Sequence, residues 1–337
     1  MLRVSFQELL ETLTQVLLNA GFESERASLC ARLFTETTCD GVYTHGLNRF
    51  PRFVGMIKRG FVDIHARPEL VNSTGSLERW DGKLGVGNLN AFHCMDRAIA
   101  IARQYTIGVV ALADTNHWMR GGSYGWQAAE AGMIGICWTN TLANLPPWGG
   151  IDPRLGNTPL VIAVPRPNGH VVLDMSTSQF SYGAMELRQL HGELLPVDGG
   201  FDSAGKLTRD PVAILESRRP LPIGYWKGSG LSLMLDLLAA ILSGGLAVCQ
   251  ISQDPDQETR LSQVFIAVDL KSAGQNGLAT QVADHAIEFM KSSTPVDEEQ
   301  VRYPGERVLQ IRQENMEHGI PVEPLIWEQV KAWAITA

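Results

Sequence analysis

Apolar and polar positions follow three successive rhythms along the chain. Leu9, Leu10, Leu13 and Leu17 recur at helical spacing behind Ser5-Phe6-Gln7-Glu8, a capping box whose hydroxyl and carboxylate can satisfy the first backbone donors. This helix stops near Gly21, and a second one, striped by Ala27, Cys30, Leu33 and Phe34, runs from about Ser24 to Asp40-Gly41. From Pro68 the rhythm shortens to β-like runs at Leu70-Val71 and Leu77 to Trp80, then a helix from Asn88 to Gln104. A strand from Ile107 to Ala113, a helix from Gly122 to Ala131 and a strand from Met133 to Thr139 follow. Thr158 to Pro165 and His170 to Met175 flank the turn Pro167-Asn168-Gly169 and predict a hairpin, which makes the sheet mixed. Gly192 to Gly224, rich in glycine, proline and charge, reads as a long ordered loop over an active site. The last rhythm is mainly helical: Ser229 to Ser243, a buried strand from Val264 to Leu270, then helices over Gln281 to Lys291, Arg307 to His318 and Pro324 to Ala334.

These elements divide the chain into a helical N-terminal region (1–66), an α/β body (67–275) and a helical C-terminal region (276–337). With 45% apolar residues the chain can build a well-buried core. Its net charge of -8 works against nucleic acid and anionic membranes, so an anionic ligand needs a local basic site. No apolar run reaches the ~18 residues of a membrane helix, and the N-terminus reads as free of a signal peptide. A cytoplasmic protein is expected. Cys30, Cys39, Cys94, Cys137 and Cys249 are scattered and read as reduced thiols, and no C-x-x-C or H-E-x-x-H pattern calls for zinc.

Phosphate chemistry leaves little trace. Gly85-Val86-Gly87-Asn88-Leu89-Asn90 approaches a dinucleotide fingerprint, but Asn90 replaces the third glycine and no convincing βαβ strand precedes it. It reads as a turn before a helix, so a bound nucleotide would imply something other than a Rossmann domain. Two polar clusters are more suggestive. In Thr44-His45-Gly46-Leu47-Asn48-Arg49-Phe50-Pro51-Arg52, a helix through Asn48 would put His45, Arg49 and Arg52 on one side. An imidazole can protonate a developing alkoxide, and a guanidinium can hold a carboxylate through two bonds. His117 and Arg120, in Asn116-His117-Trp118-Met119-Arg120-Gly121-Gly122, follow a strand end, where open α/β sheets place ligands. The bland alternatives are a solvated His45 beside surface arginines, and Asn116 with Gly121-Gly122 merely capping a helix. A third group joins the strand end Val171 to Ser178 with Trp226-Lys227-Gly228-Ser229-Gly230, where hydroxyls and Lys227 suit ribose and phosphate. Its bland reading is Ser176 as a helix cap and Lys227 in solvent.

Val42-Tyr43-Thr44-His45-Gly46, Asn48 to Phe53, Asn116 to Trp126, Pro196 to Phe201, Gly224 to Gly230 and Pro304-Gly305 together resemble the type-2 malate/L-lactate dehydrogenase family. The resemblance implies a non-Rossmann, L-sulfolactate dehydrogenase-like α/β fold with a mixed central sheet, a helical region built from both chain ends, and a homodimer. It further implies an NAD(P)-dependent oxidoreductase, using NADH or NADPH, acting on a small carboxylate-bearing acid. His45 would be the proton donor, and Val172, Leu173, Asp174, Met175, Ser176, Trp226, Lys227, Gly305, Glu306 and Arg307 would contact the cofactor. Residue chemistry adds Thr44, Arg49, His117 and Arg120 as substrate contacts, while the resemblance implies a 2-oxo sugar acid as the substrate. Another 2-hydroxy acid such as malate, lactate or ureidoglycolate, a cofactor-free isomerase or lyase, and a sugar-acid binding protein are the alternatives. The family's Gly-Thr-Asn-Pro stands here as Gly156-Asn157-Thr158-Pro159, and residues 250–258 carry no readable signal.

Overall fold

The computed structural model describes residues 2–251, 254, 257–296 and 300–335. β1 (Leu2–Val4) precedes α1 (Phe6–Asn19) and α2 (Ser24–Cys39), and the turns Tyr43–His45 and Leu47–Arg49 lead into α3 (Phe50–Lys58). Next come β2 (Glu69–Thr74), β3 (Leu77–Asp81), α4 (Gly87–Tyr105), β4 (Ile107–Thr115), α5 (Gly122–Glu130), β5 (Met133–Thr139), β6 (Leu160–Val164) and β7 (Val171–Met175). A small excursion holds α6 (Tyr182–His191), β8 (Gly200–Phe201), β9 (Leu207–Thr208) and α7 (Pro211–Ser217). The chain continues through α8 (Trp226–Ser243), β10 (Leu261–Asp269), α9 (Asn276–Lys291), α10 (Glu306–His318), β11 (Ile320–Val322) and α11 (Pro324–Ile335).

The central sheet has seven strands in the order β2-β3-β4-β10-β5-β6-β7. β3 and β4 run parallel and the other neighbours antiparallel, so the sheet is mixed as expected. β10, though late in the chain, lies between β4 and β5, with both of its faces covered. The period of two along β4 sends Val110 and Leu112 toward α4 and α5, and Ala111 toward α8, where it meets Val264, Leu235 and Ala239. The two chain ends build one further core. β1 pairs antiparallel with β11, and Leu9, Leu13 and Leu17 share a cluster with Phe34, Phe50, Trp327 and Val330. The Ser5 hydroxyl accepts the Glu8 amide at 3.0 Å, as the capping pattern requires.

Two expectations need correction, and one pair of strands was not foreseen. Residues 192–224 are not a loop: β8, β9 and α7 lie there, and Ile214 packs with Met185 and Leu195 in a small core of its own. β1 and β11 have three residues each, too short for a periodic signal, and only pairing across the chain stabilises them. Gly85-Val86-Gly87 does follow a strand, because β3, α4 and β4 form a parallel βαβ unit. Yet a Cβ on Gly87 would overlap the carbonyl oxygens of Asn116 and His117, so that helix start is filled by protein backbone. Cys30, Cys39, Cys94 and Cys137 are buried, while Cys249 is exposed. No helix among the described residues is long and apolar enough to cross a membrane.

Trp327, 2% exposed, ties α11 to the N-terminal helices. Trp327→Ala is expected to cost about 3–5 kcal/mol through lost burial and a residual cavity. Chemical denaturation checks this, and an unchanged midpoint would mean that the two chain ends do not share one core.

Candidate active site

A cleft of about 830 Å³ opens where the turns after α2, the β4–α5 connection and the end of β7 meet. Local packing explains each wall. After α2 the chain folds back on its own last turn, with the Leu47 amide donating to Thr38 Oγ1 at 2.9 Å. A Cβ on Gly46 would overlap that hydroxyl and lie 2.9 Å from the Thr38 nitrogen, so the His-Gly pair allows an approach that other residues would block. His45 thereby faces the cleft, and Thr44 Oγ1 lies 3.0 Å from its Nδ1, which fixes the ring. His45, Arg49 and Arg52 all line the cleft as the spacing suggests, but from two short turns and the start of α3 rather than from one helix.

The second wall follows β4. Asn116 donates to the Leu84 and Gly85 carbonyls, and Trp118 is buried against Tyr124 and Phe265, so both serve packing. His117 and Arg120 between and after them line the cleft. The Met119 amide donates to His117 Nδ1 at 3.0 Å, so the proton of the neutral ring sits on Nε2. The rings of His45 and His117 lie 6.0 Å apart at an interplanar angle of 25°.

Both imidazoles are electrostatically discouraged from charging. Burial first, then Arg49 and Arg120, push His45 down to about 4. Burial, then Arg49, His45 and Arg52, hold His117 well below its ordinary value. Arg120 is fixed from behind by Asp40, which also accepts from Arg312 at 2.6 and 2.8 Å. On its other side Arg120 Nε lies 3.9 Å from Asp174, whose Oδ2 accepts the Gly122 amide at 2.8 Å. Arg49 reaches Glu258 at 3.3 Å.

The structure gathers Thr44, His45, Arg49, His117, Arg120, Asp174, Met175 and Ser176 in this cleft. Val172, Leu173, Trp226, Lys227, Gly305, Glu306 and Arg307 are not among its lining residues. Val172 is buried in the sheet core, and Leu173 alternates to the opposite face. Trp226 and Lys227 are exposed in the first turn of α8. Gly305, Glu306 and the exposed Arg307 begin α10 beside the opposite end of β7, where the Val172 amide donates to Pro304 at 2.9 Å. The cap of α6 is Ser181, not Ser176. Sequence reasoning missed Asp40, which looks like an ordinary helix end, and Glu258, which lies in the stretch without readable signal. The inverted pair is also settled: Asn157 lines the cleft, whereas Thr158 is buried 3.2 Å from Ser232.

This mixed-sheet architecture is shared with solved dehydrogenases. The chain superposes on sulfolactate dehydrogenase from Methanocaldococcus jannaschii with a TM-score of 0.90 at 27% identity, covering 98% of this chain and 96% of that one. It superposes on malate dehydrogenase from Pyrococcus horikoshii with a TM-score of 0.89 at 28% identity, over 99% and 94% of the two chains. The protein belongs to the malate/L-lactate dehydrogenase family of oxidoreductases, whose model matches residues 4–331. Among its relatives, the proteins named 2,3-diketo-L-gulonate reductase from Citrobacter koseri and Escherichia coli K12 are 45% and 44% identical, each over 98% of this chain and 100% of the relative.

Asp40 is 3% exposed and carries both Arg120 and Arg312. Asp40→Asn leaves a buried guanidinium short of its counter-charge and is expected to cost about 3–5 kcal/mol of stability. Equilibrium unfolding measures it, and a loss below about 1 kcal/mol, the value of an exposed pair, would contradict the assignment.

Proposed function

We propose that the protein reduces the C2 oxo group of 2,3-diketo-L-gulonate to give 3-dehydro-L-gulonate, with His45 as proton donor and NADH as the reductant. The observation that carries this reading is the uncharged His45 ring held beside Arg49 in a cleft that closes on the end of β7. A 2-oxo acid needs a proton source at its oxo oxygen and a cation at its carboxylate, and these two side chains supply them one turn apart.

The residues around β7 fit a dinucleotide. Pro304 takes the outward Val172 amide, so by the period of two the Asp174 backbone groups also face outward on this edge strand. Gly305, at φ +95, brings the start of α10 within about a side chain's width of Val172, since a Cβ there would stand 3.1 Å from the Val172 nitrogen. Val172 to Ser176, Gly305 to Arg307, and Trp226 with Lys227 would hold the cofactor along this edge. When bound, the reduced nicotinamide supplies the hydride that C2 accepts.

The protein's own contribution is positioning and proton supply. Arg49 or Arg120 holds the C1 carboxylate, Thr44 orients the His45 ring, and the Nε2 proton of His117 donates to the bound acid. A neutral imidazole is a poor acid, so His45 must gain a proton once substrate is present. The bound carboxylate does this by offsetting the guanidinium charge that depresses the ring. The exposed apolar side of α8, formed by Leu233, Met234, Leu237, Leu238 and Ile241, supports a homodimer formed through this face. Regions 1–66 and 276–337 would act as one helical support for the 67–275 body, in a cytoplasmic enzyme.

His45→Ala is expected to lower turnover roughly 10²- to 10⁴-fold, the range for a lost general acid, while leaving NADH affinity within about threefold. Initial rates with NADH and with NADPH, beside nicotinamide fluorescence titration, test this. Wild-type turnover in the variant would remove the proposed acid.

The pH dependence carries its own sign. Reduction requires protonated His45, so kcat/KM for reduction should fall as pH rises above about 4, the free-enzyme value. In kcat the corresponding break should sit at higher pH, because the substrate carboxylate raises the ring's pKa. Coincident breaks in the two profiles would show that substrate charge does not act on His45.

A further inference from the structure

The connection between β5 and β6 supplies a third wall of the cleft, through Thr141, Leu142, Asn144 and Asn157. It is a braced piece of chain, because Leu145 and Leu155 exchange backbone hydrogen bonds at 2.8 and 3.0 Å and Leu145 is fully buried. Within it the Asn144 amide is tethered at one end. Its Nδ2 donates to Asn157 Oδ1 at 3.0 Å, and Thr141 Oγ1 reaches the same oxygen at 3.3 Å. Its own Oδ1 is buried and has no hydrogen-bond partner. Among the described residues that line the cleft, it is the one buried acceptor left in that state. Buried acceptors are ordinarily satisfied, and an amide whose nitrogen is tethered cannot turn away to find a donor, so this oxygen calls for an N–H or O–H from a ligand. A carboxylate has no donor to give it.

Three contacts place the acceptor between the proposed acid and the proposed cofactor edge. Toward β7, the Thr177 amide, directly beyond Ser176, donates to the Asn157 carbonyl at 2.9 Å. Toward the start of α8, Ser232 Oγ donates to the Gly156 carbonyl at 2.6 Å, and the Trp148 amide donates to Ser229 Oγ at 2.7 Å. Toward His45, the Tyr182 hydroxyl donates to the Asn144 carbonyl at 2.8 Å, while adjacent Gly183 lies so close to Thr44 that a Cβ there would stand 2.7 Å from that side chain. A dinucleotide held along β7 and the start of α8, and reacting beside His45, has to pass this loop. The part that does so is the nicotinamide ring, whose primary carboxamide carries the donor that Asn144 lacks.

We propose that Asn144 Oδ1 accepts a hydrogen bond from the carboxamide N–H of the nicotinamide ring. This rests on reading the cleft as that of a nicotinamide-dependent reductase, and deepens it by naming the side chain that recognises the reacting end of the cofactor. A ring gripped by its carboxamide cannot turn over about its glycosidic bond, so one face of it is offered to the substrate. The tethers set the amide before the cofactor arrives, which lowers the cost of recognition.

The test is binding rather than turnover. The wild type and Asn144→Ala are titrated calorimetrically with three ligands: NADH, its reduced 3-acetylpyridine analogue, in which a methyl group replaces the carboxamide nitrogen, and ADP-ribose, which lacks the ring. The wild type should prefer NADH over the analogue by roughly 5- to 50-fold. In Asn144→Ala that preference should shrink below about twofold, with NADH itself weakened roughly 5- to 50-fold. ADP-ribose should bind both proteins within about threefold, which shows that the variant folds and keeps its cofactor edge. A preference that persists in the variant overturns the proposal. So does its absence from the wild type, a comparison that requires no variant and decides the matter if Asn144→Ala does not fold.

Titration with L-gulonate separates the competing occupant. Its affinity should change by less than about threefold in Asn144→Ala. A loss of about tenfold or more, with the NADH preference intact, would assign the amide oxygen to a substrate hydroxyl instead. If neither NADH nor ADP-ribose binds the wild type, the cofactor reading fails and takes this assignment with it. If NADH binds and the analogue binds equally well, the assignment alone fails.

Discussion

The site depends on one buried carboxylate. Asp40 ends α2 and holds Arg120 from the β4–α5 connection and Arg312 from α10, so three distant stretches of chain meet on its two oxygens. Without it the buried Arg120 guanidinium would lose its main counter-charge, and the pairing fixes how closely the helical region approaches the sheet. The cleft lies on that seam. Arg120 then faces the cleft in a set position and contributes to the field that keeps His45 uncharged.

That field gives the site a sense of whether it is occupied. With the cleft empty, desolvation and two guanidiniums make a charged imidazole costly. An anion between them would remove part of the cost, so a bound carboxylate would favour the charged ring that the proposed proton-donor role of His45 requires. Stacking two neutral rings 6.0 Å apart is tolerable only under this arrangement, since two imidazolium ions at that distance would repel each other. The Met119 amide locks His117 in one tautomer and leaves proton exchange to His45.

Much of the fold was legible because long elements carry their own signal. β5 spans Met133–Thr139 as its apolar run indicated, and the hairpin of β6 and β7 follows from its turn. What escaped was non-local. β1 and β11 exist through their pairing, the central place of β10 depends on chain order in space, and the excursion from α6 to α7 is held by a few side chains such as Met185 and Ile214. In the site, His45, Arg49, His117 and Arg120 were legible because polar groups of matching chemistry cluster within short motifs. Asp40 and Glu258 act on partners 80 and 209 positions away, and no local pattern reports such a pairing.

The unused fingerprint shows how a βαβ unit can keep its shape while changing its task. In a Rossmann domain the glycines at the first turn clear space for a pyrophosphate over the helix start. Here the main chain of Asn116 and His117 lies against Gly87, so the same close approach serves to seat the loop that carries His117. A dinucleotide cannot occupy that place without displacing the loop. An outer strand with outward backbone groups and a glycine-led helix beside it, as at β7 and Gly305, is the place proposed for the cofactor, and it would leave the loop that carries His117 undisturbed. The glycine pattern therefore reports a close backbone contact in both cases, and only the neighbour across that contact decides whether it means phosphate or protein.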